Sequence, residues 1–107
     1  MSLSKYDAAY KLILETEQLR EKFDVEQRSL LSVMRDKEIS KAGWSRYRDC
    51  QAMFRTSDLY LREAHNEALK AVKRPTDASI RKIRHNLEMF DESWQNARQY
   101  SLIGALS

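Results

Sequence analysis

Two histidines, one cysteine and a close run of cations are the side chains in this sequence whose types invite chemistry. His65 and His85 would titrate near neutrality. Neither belongs to a Glu-x-x-His pair, the spacing that holds a carboxylate-bridged metal pair inside a four-helix bundle. With one cysteine and two separated histidines, there are too few ligands at zinc spacing. Cys50 falls on an apolar row, where a thiol packs rather than reacts. Gly43 and Gly104 stand too far apart to make a phosphate-binding loop, and no Gly-x-Ser-x-Gly turn is present. The expectation is a chain with no catalytic centre, no metal and no cofactor, in which both histidines are polar flank residues of helices.

Two features invite binding instead. Lys70, Lys73, Arg74, Arg81, Lys82 and Arg84 cluster around Pro75, with Asp77 opposing them. A patch of this kind attracts phosphate groups of a nucleic acid, anionic lipid or an acidic protein, and its bland counterpart is a solvated bundle end. The second feature is a surplus of large apolar side chains. Trp44, Met53, Leu59 and Tyr60 lie off the main apolar row of their segment, and Leu59-Tyr60-Leu61 points bulky groups in three successive directions. Tyr10, Leu14, Val25 and Leu31 do the same earlier in the chain, and Leu102, Ile103 and Leu106 near its end. A helix between two neighbours is apolar on two sides, so part of this surplus is ordinary core. The remainder implies contact with a protein partner or a second copy.

Composition limits the setting. The chain has 107 residues, 42% hydrophobic and 33% charged. That reads as one helical domain, 1–107, near the size at which oligomers often add stability. No apolar run approaches the ~20 residues needed to span a bilayer. No signal segment is evident, and a lone cysteine suits a reducing compartment, so a cytoplasmic location is expected. The net charge of +3 is uneven: residues 41–75 hold eight basic and four acidic side chains, whereas the segments on either side are nearly balanced.

The spacing of apolar residues defines the elements that must position these groups. Ile80, Ile83, Leu87, Phe90, Trp94 and Ala97 recur at threes and fours, a helical stripe. Pro75 ends the segment before it, and Thr76 or Asp77 can cap the next helix. The middle segment reads Tyr47, Cys50, Phe54, Ser57, Leu61, Ala64, Ala68, then Ala71 or Val72, tapering from aromatic to alanine. The first reads Ala9, Leu12, Thr16, Leu19, Phe23, Leu30 and Val33, with Ser4 and Asp7 as a capping pair. The reversal between them is expected over Asp36–Gly43, with Gly43 its one strong breaker.

These stripes predict helices over about 4–37, 41–74 and 77–103. Short connections between long helices make neighbours antiparallel. The fold expected is all-α, an antiparallel three-helix bundle with coiled-coil-like seams. Its alternative is a helical rod running through Gly43 in an intertwined dimer. With the second turn at Pro75, facing residues of the last two helices should have numbers summing to about 150. Three long helices with Trp94 inside a heptad are similar to the layout of spectrin repeats, but the first helix lacks that family's tryptophan, so the likeness is architectural only. The functional expectation is a non-catalytic interaction module, adaptor or chaperone-like subunit with a protein partner, itself a homo-oligomer with the dimer favoured. Its alternative is a nucleic-acid-binding or regulatory protein that uses the cations around Pro75.

Overall fold

Hydroxyls at the right offset start two of the helices. The computed structural model describes residues 4–36 and 41–106, and holds α1 (Lys5–Asp36), α2 (Lys41–Lys73) and α3 (Asp77–Leu106). Ser4 Oγ accepts the amide of Asp7 at 3.2 Å, giving α1 its first-turn partner. At α3 the cap is reciprocal: the Ser79 amide donates to Thr76 Oγ1 and the Thr76 amide to Ser79 Oγ, both at 3.0 Å. Thr76, rather than Asp77, is therefore the capping residue. Each satisfied cap contributes about 1 kcal/mol. Pro75 lies in the break between α2 and α3, where its missing amide hydrogen removes no helical bond.

The helices form an up-down-up bundle, with no strand among the described residues. Polar pairs across the seams fix the register. Lys82 reaches Glu67 at 3.3 Å, and the Tyr100 hydroxyl donates to Asp49 at 3.2 Å. Both pairs have numbers summing to 149, one short of the value expected for a turn at Pro75. Between α1 and α2, Arg20 pairs with Asp58 and Phe23 stacks beside Phe54, again an antiparallel register. Between α1 and α3, Lys5 meets Asp77 and Arg98 meets Glu26, each pair 72 apart in sequence, which makes those two helices parallel.

The core divides by side-chain size. Phe23, Cys50, Phe54, Leu61, Phe90, Trp94 and Ala97 form the bulky cluster. Ala9, Leu12, Ala64, Ala68, Ala71 and Ile83 form a second, nearer the α2–α3 turn. The alanines of α2 give that end little bulk, so its neighbours close in without large side chains. Phe23 is the hub of the bulky cluster. Its ring centroid lies 5.9 Å from Phe54, 5.3 Å from Phe90 and 5.8 Å from Trp94, the last two edge to face. Those geometries suit the ring quadrupoles. The two buried hydroxyls, Thr16 and Ser57, bond back to the carbonyls of Ile13 and Met53 on their own helices. They fill core positions without needing a partner across a seam.

The structure corrects two sequence readings. Gly43 is not the breaker: it is the third residue of α2. Residues 37–40, the rest of the segment in which the reversal was expected, lie outside the described residues. Val33, read as part of the α1 stripe, is exposed, while Leu30 and Leu31 pack against the core. A helix of 3.6 residues per turn drifts about 20° per heptad against a 3.5-residue pattern, and by the end of α1 that drift has carried Val33 off the core face. The expectations for Leu102, Ile103 and Leu106 concern side chains outside the described residues.

Candidate functional site

The apolar surplus separates into two kinds of position. Met53 and Tyr60 are half-buried and pack against the bulky core cluster, as does Leu31. Trp44 and Leu59 stand in solvent, at 49% and 54% exposure. Tyr10, Leu14 and Val25 are exposed as well. Tyr6 and Leu69, which the sequence reading passed over, join them. Their signal was present: Leu69 lies a heptad beyond Arg62, on a row of α2 that never meets the core.

That row is the outward side of α2. It runs Arg48, Ala52, Arg55, Leu59, Arg62, Asn66, Leu69 and Lys73 at alternating threes and fours, every member exposed. Buried Cys50, Phe54, Ser57, Leu61, Ala64 and Ala68 occupy the opposite side of the same helix. An apolar-and-basic outer row of this kind is absent from the core arithmetic of the bundle, because three helices already close around Phe23.

On the α1 side, the row flanks a shallow groove of about 550 Å³ lined by Gln27 and Leu31 of α1 and by Gln51, Arg55, Asp58, Leu59 and Arg62 of α2. Asp58 anchors its wall. It accepts from Arg62 at 2.8 Å and from Arg20 of α1, and Arg20 also reaches Asp24 at 3.4 Å. Arg20 loses hydration by partial burial, which works against its charge, but bonding to Asp58 and the charge of Asp24 more than offset this and raise its pKa. It therefore stays cationic and holds α1 to α2 beneath the exposed face. The heptad before Asp24 and Leu31 brings Glu17 and Tyr10 onto the same flank of α1.

The six cations around Pro75 are all exposed. Lys70 and Lys82 converge from α2 and α3 on Glu67, at 3.8 and 3.3 Å. Arg84 instead lines a groove between α1 and α3 with Lys11, Glu15 and Asp91. Lys5 of α1 reaches Asp77 at 3.5 Å, adding a further cation to this end of the bundle. The six are thus brought to one end but spread around it, and part of their charge is met by Glu67.

His65 lies at the α1–α2 seam, its Nε2 4.0 Å from Glu17 Oε1 and without a hydrogen-bond partner. His85 is exposed on α3. Cys50 is a buried thiol. Among the described residues no three His, Cys, Asp or Glu side chains converge on a metal position, and no helix is long and apolar enough to cross a membrane. Compared with protein-family models, curated proteins and solved structures, the chain matches none.

Proposed function

We propose that the chain is a non-catalytic protein-interaction module, an adaptor or chaperone-like subunit of the cytoplasm that offers the α1–α2 side of its bundle to another protein. One observation carries this reading. Trp44, Leu59 and Leu69 on α2, with Tyr6 and Tyr10 on α1, stay in water although the bundle core is complete without them. Large apolar groups left in water favour burial against a partner, at roughly 25 cal/mol per Å² of apolar area covered. Arginine beside aromatic and leucine side chains is a composition that binding surfaces favour.

The test is recovery of bound protein from native extract by the tethered chain, wild type against Leu59→Asp. Leu59 is outside the core, so the variant should keep its melting temperature. A protein recovered stoichiometrically by the wild type and lost from the variant supports the reading. Equal recovery by both contradicts it. A second reading draws on the exposure of Lys70, Lys73, Arg74, Arg81, Lys82 and Arg84 at one end of the molecule. If they bind nucleic acid, retention of duplex DNA or RNA falls steeply with added salt and falls again in Lys73→Glu or Arg81→Glu. No retention at low salt removes that reading.

A further inference from the structure

We infer that the occupant of the α1–α2 groove is an acidic, amphipathic helix of a partner protein. The inference rests on the interaction-module reading above and names the chemistry of the partner. The groove has an apolar strip and cationic banks. Leu31 and Leu59 line it from the two helices, with Gln27, Gln51, Arg55 and Arg62 around them. Arg28 stands one turn beyond Asp24 on the α1 bank, and Arg48 one heptad before Arg55 on α2, both exposed. The antiparallel register set by Arg20 with Asp58 and by Phe23 with Phe54 puts Arg28 across from the stretch between Arg48 and Arg55.

Its charges are unequally matched. Asp24 and Asp58, the carboxylates of this seam, are both bonded to Arg20, and Asp58 to Arg62 as well. Glu17 lies towards the Pro75 end, 4.0 Å from His65. Glu21 lines a different surface of α1, with Gln18, Lys22 and Val25. Arg28, Arg48 and Arg55 form no ion pair among the described residues. Arg28 Nε donates to the Asp24 carbonyl at 3.2 Å, a bond within its own helix. The groove therefore holds a surplus of cations, which attracts a partner that carries carboxylates. Spacing separates a helix from other polyanions. Arg48, Arg55 and Arg62 recur every seven residues, about 10.5 Å along α2. A helix laid alongside repeats its facing residues at the same interval, whereas the phosphates of a duplex strand recur at about 3.4 Å of axis. A helix also covers Leu31 and Leu59 with apolar side chains of its own, a contact that a phosphate backbone lacks. Its carboxylates meet Arg28 on one bank and Arg55 on the other, with its apolar row between them.

Fluorescence anisotropy of the purified full chain with a labelled synthetic peptide tests this. The peptide has about three heptads, with leucine at a and d and glutamate at the flanking positions. Its comparators are a twin with lysine for every glutamate and a labelled single-stranded RNA. The glutamate peptide should bind more tightly than its twin by about tenfold or more. Arg28→Glu, Arg55→Glu and Leu59→Asp should each weaken it by about tenfold, whereas Lys73→Glu, at the Pro75 end, should leave it unchanged. All four side chains are exposed, so the variants should melt as the wild type does, which separates a lost interface from a lost fold. Equal binding of the two peptides, no binding at millimolar peptide, or binding indifferent to Arg55→Glu overturns the inference. RNA that binds more tightly than the glutamate peptide and is lost in Arg55→Glu overturns it too, and makes the groove a nucleic-acid site. Failure of the glutamate peptide overturns this inference alone; the interaction-module reading falls only if recovery from extract is also indifferent to Leu59→Asp.

Discussion

Phe23 touches the aromatic rings of both other helices, so its removal opens a place where all three meet. Phe23→Ala should cost about 3–5 kcal/mol, the range for a buried phenylalanine whose site cannot collapse, and chemical denaturation would measure it. Arg98 protects the same cluster from outside. Its guanidinium lies 4.4 Å from the centroid of Trp94, and Nη2 donates to Glu26 Oε2 at 2.7 Å. Bonding to Glu26 raises its pKa against a smaller opposing effect of burial, so it stays charged across the working range. Tyr100 supplies a pH signature. Burial first, and then the hydrogen bond to Asp49, raise the pKa of its phenol. The folded state therefore binds that proton more tightly than the unfolded state. Stability from this source is intact below the usual tyrosine value of about 10 and is lost as pH rises through the higher folded value. The fall in urea midpoint above about pH 10 should be shallower in Tyr100→Phe than in the wild type.

The three helices were legible because their signals are redundant. Ile80 to Ala97 repeats six times at helical spacing, Pro75 stops one element, and Thr76 starts the next with a cap that the structure uses. The register near Pro75 was legible for the same reason, since a short turn leaves little freedom in which levels face each other. Gly43 misled because glycine is a weak breaker: it costs a helix about 1 kcal/mol relative to alanine, which tertiary contacts override. Within α2 its φ is not positive, so Gly43→Ala should raise the melting temperature, by up to about 1 kcal/mol in stability. A lowered melting temperature would mean that residue 43 needs the freedom of glycine and that the reversal lies there. The candidate face was half legible. Spacing alone marked Trp44 and Leu59 as off the core row, but it marked Met53 and Tyr60 equally. Only the position of α1 and α3 decides which flank of α2 is covered, and no local pattern encodes that.

At the scale of the molecule, the bundle closes its own core and leaves an outer side on which Leu59, Leu69 and the arginines of α2 stand in water. Such a side is stable in water only at a cost in exposed apolar area, and covering it recovers that cost. The account therefore predicts that the chain does not work alone. The most direct measurement is its native size in extract of its own cells, by gel filtration with light scattering of the tagged chain, wild type beside Leu59→Asp. The wild type should elute well above the 12.6 kDa of one chain, and Leu59→Asp should return towards that mass with its helical content unchanged. A wild-type chain that elutes as a 12.6 kDa monomer, indistinguishable from the variant, would contradict the account.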